Sequence, residues 1–228
     1  MAKKSPDPHE ALELLGRISA QVDTLDPPVA AFERGIRATP FKVLISVLLS
    51  SRTRDPVTLA ASTRLFSLAS SPDEMARLKR EEIERAIFPV GFFRQKAGHI
   101  LEISRRLTGE NREVPRELSD LMSLPGVGRK TANLVRSLAY DIPAVAVDVH
   151  VFRISRRLEW ARGDKPEAVE KELRRLFPRE SWNRINQVLV GFGQTLCGPR
   201  NPRCRECDIR HDCPWQKSRG TGSSTGSC

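Results

Sequence analysis

Apolar residues recur at helical spacing along most of the chain, and no stretch alternates long enough to make a sheet. From Pro8 to Leu25, Ala11, Leu12, Leu14, Leu15, Ile18 and Val22 mark one face of an amphipathic helix that Asp26-Pro27-Pro28 ends. Pro40 to Ser50 is apolar almost all round. Its β-branched residues would suit a strand, but its helical surroundings favour a buried helix. Asp55-Pro56 offers an N-cap and a proline at the first helical position for a helix reaching about Leu68. Ser71-Pro72-Asp73-Glu74 repeats the device as a capping box. Helices are expected over 81–87 and 95–107, the second with Ala97, Ile100, Leu101 and Leu107 on one face. Between them, in P-V-G-F-F-R, the adjacent Phe92 and Phe93 cannot both enter one core from regular structure, so one is expected to be exposed. Further helices are expected over 116–122, from about Lys130 to Tyr140, over 148–158, up to Phe177 behind a cap at Asp164-Lys165-Pro166-Glu167, and over 181–196. The fold expected is all-α, without obvious repeats.

Composition narrows the function classes. A chain of 228 residues has room for one large or two small domains. Its N-terminus lacks the apolar core of a secretory signal, and no run reaches the roughly 18 apolar residues of a membrane span. A cytoplasmic or nucleoid-associated protein is expected, with no membrane partner. Lys and Arg number 38 against 28 Asp and Glu, a net charge of +10. That excess favours a polyanion such as nucleic acid as partner, although a solvated basic surface explains it as well.

The charge acquires a focus in L-P-G-V-G-R-K-T-A, Leu124 to Ala132. A Pro and two Gly set a turn between two short helices, the form of a helix-hairpin-helix motif. Gly126 and Gly128 can adopt backbone conformations closed to other residues. The N–H groups of Gly126, Val127 and Gly128 could then converge on a phosphate beside the positive end of the next helix. An ordinary connection between packed helices would look similar, so the weight comes from Asp148 in V-D-V-H and from a cysteine group downstream.

Cys197, Cys204, Cys207 and Cys213 form the pattern C-x6-C-x2-C-x5-C. Four thiols so close together in a cytosolic chain point to a metal rather than to disulfides. Structural zinc sites usually take two close Cys pairs, or Cys with His. Here there is one C-x2-C pair, and His211 as a zinc ligand would leave a cysteine over. A cubane iron–sulfur cluster, which needs four thiolates spread around a larger object, suits the spacing better. Cys228 stands alone in a Gly/Ser/Thr-rich tail that is expected to be disordered.

Taken together, the blocks L-L-S-S-R-T-R-D, G-F-F-R-Q-K-A, E-V-P, L-P-G-V-G-R-K-T-A-N and A-V-D-V-H-V-F-R with the cysteine pattern resemble the endonuclease III family of DNA glycosylases and apurinic-site lyases. The resemblance covers nearly all of Leu12 to Gln216. It implies a six-helix barrel-like domain with the helix-hairpin-helix over 32–142. A discontinuous [4Fe–4S] cluster domain would take 8–31 and 143–216, with a DNA groove between the two domains and disordered ends at 1–7 and 217–228. It also implies a monomer acting on double-stranded DNA that carries a damaged base or abasic site. Lys130 matches the family's Schiff-base lysine and Asp148 its catalytic aspartate. A lysine nucleophile must react as the free amine, and both the helix N-terminus and Arg129 disfavour a further positive charge there.

The expected activity is therefore bifunctional: removal of oxidised pyrimidines in base excision repair, with strand cleavage by β-elimination. Relatives that only remove a base usually lack the lysine, and many adenine-specific ones carry an extra C-terminal domain. Two departures bear on recognition. Arg52 stands where Gln is common, and Val149 where Thr is frequent. Arg52 is expected to reach into the space left by the extruded nucleotide, with Phe92 as a wedge. Arg200 and Arg203, between the first two cysteines, are expected to meet phosphates. The alternatives are a base-only mismatch glycosylase and a non-catalytic protein that recognises DNA structure.

Overall fold

The computed structural model describes residues 6–36, 39–109 and 113–220, and all regular structure among them is helical. The chain divides into two compact units, one formed by 31–144 and the other by 1–30 with 145–228.

The first of these is organised around α3 (Pro40–Ser50). Thr39 caps it, its side chain accepting from Lys42 N, and Pro40 presets the first turn, so local chemistry outweighs the β-branched Val43, Ile45 and Val47. Residues 41 and 43–49 are all buried, as suits a helix apolar on every side. Around it lie α4 (Asp55–Leu68), α5 (Pro72–Arg77), α6 (Arg80–Ile87), α7 (Phe93–Arg106), α8 (Leu118–Met122) and α9 (Arg129–Tyr140). Helix α3 packs on α4, α7 and α9, while α5 and α6 pack on α7. Leu65, Met75, Ile83, Ile100, Ile103 and Leu121 fill the core. The capping box at Ser71 and Glu74 is formed. Asp55 is not a cap: it is the first residue of α4, behind Arg54. There its carboxylate still opposes the helix dipole favourably.

In the second unit, α1 (Pro8–Asp23) joins α10 (Val149–Arg157), α11 (Pro166–Leu176) and α12 (Trp182–Thr195). Helix α12 packs on α1 and α10 over a core that includes Leu15, Ile18, Ile154, Leu173, Leu189 and Phe192. Helix α11 starts behind Lys165 without a side-chain cap, so the expected Asp164 cap does not form.

Two helices went unforeseen. Helix α2 (Pro28–Ile36) begins at the Pro-Pro expected to end α1, because proline also favours a first helical turn. Helix α13 (Pro214–Gly220) takes in 217–220, which were expected to be disordered. At the other end Asp7 caps α1, its carboxylate accepting from His9 N and Glu10 N. Residues 1–5 and 221–228, with Cys228, lie outside the described residues.

Candidate functional site

In the unit formed by 31–144, α8 and α9 flank the turn Ser123 to Gly128. Val127 N donates to Leu124 O at 3.1 Å, closing the turn, and the Val127 side chain is buried. Gly126 has φ +75, and a Cβ there would lie 2.3 Å from His99 Nδ1. Only glycine meets both conditions without strain. Gly128 departs from expectation: its φ of −90 and ψ of 176 are ordinary extended backbone. It caps α9 with no side chain of its own, and a Cβ there would meet nothing within 4 Å. Its lack of a side chain thus leaves open approach to the amide end of α9 rather than permitting an unusual turn. Lys130 follows in the first turn of α9, half-buried, while Thr131 to Val135 turn inward.

Arg52 and Phe92, far apart in sequence, are brought together. The Arg52 guanidinium lies 4.9 Å from the Phe92 ring centroid. Phe92 is 56% exposed, while Phe93 turns back to stack edge-on against Phe88. One of the two adjacent rings is therefore exposed, as expected. Both Arg52 and Phe92 have left-handed backbones, φ 56 and 59.

In the other unit, Asp148 is the N-cap of α10. Its Oδ1 accepts from His150 N and Val151 N, each at 2.8 Å. Those bonds satisfy two of the helix's free amides and fix the carboxylate. Val149 beside it is 72% exposed.

The four cysteines form no disulfide, and all four line one cavity, with Leu158, Phe192, Ile209 and Trp215. Helix α1 pins the loop that carries them: Arg17 bonds Asp212 and the Asp208 carbonyl, both at 2.7 Å, and Gln21 Nε2 donates to Glu206 O at 2.6 Å. Arg157 from α10 donates to Cys197 Sγ at 3.1 Å and to Gly198 O at 2.8 Å, and covers the Trp215 ring. Burial pushes the Cys207 thiol up to about 11 and the Cys213 thiol upward. Uncompensated thiolates are thus disfavoured there, and a bound cation would be what makes them stable. Among the described residues, no group of three or more His, Cys, Asp or Glu side chains is arranged to hold a metal ion. His211, the alternative zinc ligand, is exposed, and its Nε2 accepts from Arg210 Nε at 2.7 Å.

Arg200 is exposed on the same loop. Arg203 is also exposed, but its guanidinium forks onto both carboxylate oxygens of Glu206, raising the Arg203 pKa and lowering that of Glu206. The pairing with Glu206 offsets part of the charge that Arg203 was expected to offer to phosphate.

Residues 45–179 match the HhH-GPD superfamily of base excision DNA repair proteins. Endonuclease III of Thermotoga maritima is 45% identical over 196 residues, 85% of this chain and 92% of that protein. Endonuclease III of Bacillus subtilis is 37% identical over 180 residues, 78% of this chain and 82% of that one. A solved structure of endonuclease III trapped as a covalent intermediate with DNA superposes with a TM-score of 0.83 at 34% identity, covering 94% of this chain and 99% of that one. A thermostable thymine-DNA glycosylase shares the fold at 22% identity, with a TM-score of 0.70. By sequence over most of its length and by fold, the chain belongs to the endonuclease III family within the HhH-GPD superfamily of base excision DNA repair proteins.

Proposed function

We propose that this enzyme, a bifunctional DNA glycosylase and apurinic-site lyase of base excision repair, removes oxidised pyrimidines with Lys130 as its nucleophile and Asp148 as its catalytic carboxylate. The observation that carries the reading is the position of Lys130 in the first turn of α9, directly behind the Gly126–Gly128 turn. A phosphate held by the Gly126 and Gly128 amides and by the positive end of α9 would bring the sugar it links near the amine, whereas the Val127 amide, also expected to meet phosphate, is taken by Leu124 O. The amine attacks the sugar carbon that bears the damaged base, and the base departs with the electron pair of the broken bond. The sugar ring then opens at the C1′–O4′ bond, O4′ taking a proton, and the adduct becomes an imine. The imine acidifies the neighbouring proton, and its loss drives the β-elimination that expels the 3′ phosphate and nicks the strand. Hydrolysis returns the lysine. Asp148, held by two backbone amides, stabilises the cationic sugar or manages the lysine's proton. The covalent DNA intermediate of the related endonuclease III supports a nucleophilic course.

Cys197, Cys204, Cys207 and Cys213 would hold a [4Fe–4S] cluster. The cavity shared by the four thiols, and a spacing with only one close C-x2-C pair, support a cluster rather than zinc. When bound, the cluster cross-links the loop covalently. The residues of the chain then act on that loop: Arg157 offsets thiolate charge and α1 fixes the backbone. The substrate is double-stranded DNA with an oxidised pyrimidine or abasic site, and the enzyme acts as a monomer at the nucleoid. No helix among the described residues is long and apolar enough to cross a membrane.

Borohydride reduction tests the nucleophile. It should trap the wild type on a duplex with one oxidised pyrimidine, and Lys130→Ala should lose the adduct while keeping its fold and its visible absorbance. Equal trapping by Lys130→Ala would assign the chemistry to another amine.

A further inference from the structure

The G-F-F-R-Q-K-A block holds a cation that the proposed chemistry does not use. Lys96, in the first turn of α7, is 7% exposed. Its Nζ donates to Leu49 O at 2.8 Å and Ser51 O at 2.6 Å, and lies 3.4 Å from Thr53 Oγ1. These partners are two carbonyls and a hydroxyl, all neutral. The carbonyls belong to the C-terminal end of α3 and the residue after it, where helical acceptors lack partners and the dipole favours a cation. Burial nonetheless pushes the Lys96 ammonium down to about 8. A lysine kept here at a desolvation cost calls for an explanation beyond filling space.

What it fastens is the pair of turns that carry Arg52 and Phe92. Thr53 Oγ1 accepts from Gly91 N at 3.1 Å as well as lying near Lys96. A Cβ on residue 91 would stand 2.7 Å from Arg52 O, so the two backbones meet face to face. Arg52 and Phe92 both adopt left-handed φ. Each costs about 1–2 kcal/mol for a residue with a side chain and persists only where neighbours over-determine it. Lys96 bonds the carbonyl just before Arg52, and its own backbone N donates to Phe92 O at 3.0 Å. It is bonded to both turns at once.

We infer that Lys96 is a positioning residue for damage recognition: its buried ammonium clamps the end of α3 to the start of α7, so that Arg52 and Phe92 form one preassembled stack. The inference rests on the reading that Arg52 and Phe92 enter the duplex at the lesion. A stack set before binding loses little further freedom when it enters the DNA, so the clamp lowers the cost of extruding a nucleotide. It has no part in the bond-breaking steps at Lys130.

The test separates extrusion from chemistry. Lys96→Met keeps the chain length and removes the donors. Single-turnover excision of an oxidised pyrimidine from a fully paired duplex should fall about tenfold or more. Borohydride trapping on an abasic site in single-stranded DNA, where nothing is extruded from a helix, should change less than twofold. Thr53→Val, which removes only the shared hydroxyl, should shift the paired-duplex rate the same way by a smaller factor, and it stands in if Lys96→Met does not fold. Equal losses on both substrates would make Lys96 a purely structural residue and overturn the proposal, as would an unchanged rate on the paired duplex. Arg52→Gln and Phe92→Ala distinguish the two failures. If they alter paired-duplex excision while the Lys96 and Thr53 variants do not, the clamp fails alone. If none of the four does, the recognition reading fails and takes the clamp with it.

Discussion

Arg52 presents a guanidinium with five donors and no acceptor where relatives commonly present a glutamine amide with both. In a gap left by an extruded base, it should favour an opposite base rich in acceptors, and guanine, with O6 and N7, suits it better than adenine. The structure adds a condition: the guanidinium is stacked on Phe92 at 4.9 Å, an exposed contact of the sort that contributes about 0.5–1 kcal/mol. Arg52→Gln should therefore reduce the preference for guanine, and Phe92→Ala should disturb it too, because the ring orients the guanidinium. Phe92→Ala should also slow excision from paired duplexes more than from mismatched ones, where extrusion costs less. The double variant should lose less than the product of the two single effects. Single-turnover excision opposite each of the four bases measures all three. Fully multiplicative losses would mean that the two side chains act separately, and an unchanged profile in Arg52→Gln would remove it from opposite-base recognition.

Helices with a clear apolar period were legible in the sequence, and their starts were legible where the local cap chemistry allows one reading. Helix α3 was legible from its apolar run and helical surroundings, and its Thr39 cap is seen only in the structure, while Ser71 to Glu74 opens α5 with the capping box its residues announce. Asp148 likewise caps α10. At Pro27-Pro28, by contrast, one signal serves both to end a helix and to begin one, so α2 was hidden behind the end of α1. The paired glycines of the hairpin illustrate a subtler loss. Sequence names both, but only coordinates tell that Gly126 needs its φ of +75 and that Gly128 is valuable for empty space. Lys96 left a faint trace: it lies four residues before Ile100 on the apolar stripe of α7, where a lysine is out of place. The stacking of Arg52 on Phe92 left none, because it depends on two left-handed residues that no local pattern requires.

The cysteine element yields a direct prediction at the same scale. It is a loop of short backbone-bonded turns, tied to α1 by Arg17 and Gln21 and to α10 by Arg157. Its thiols line a cavity whose other walls are mostly apolar, with three arginines and Gln216. Purified anaerobically, the protein should be yellow-brown and contain about four irons and four sulfides per chain. Stoichiometric zinc without iron would overturn the cluster. Removing the metal should expose this loop and α13 to protease before the core of α3, because the loop has little apolar burial of its own.

At the scale of the whole molecule, the net charge of +10 draws the protein to DNA irrespective of sequence, and its contribution is read in the salt dependence of binding. Each phosphate contact adds about 0.9 to the slope of log affinity against log salt. Arg200 and Arg203 of the cysteine loop were both expected to meet phosphates, and the structure makes them unequal. Arg200 is exposed, whereas Arg203 is held by Glu206 through a forked, charge-assisted pair that a phosphate would have to displace. Arg200→Ala should therefore weaken binding across unrelated duplexes and lower the slope by about one contact. Arg203→Ala should lower it by less than half as much. Glu206→Gln supplies the decisive comparison, since it frees Arg203 and should steepen the slope, an effect that Arg203→Ala in the same chain should abolish. Titrations of an undamaged duplex over a range of salt concentrations measure the four variants against the wild type. Equal slopes for Arg200→Ala and Arg203→Ala, with no response to Glu206→Gln, would mean that Glu206 does not withhold Arg203 from the phosphates.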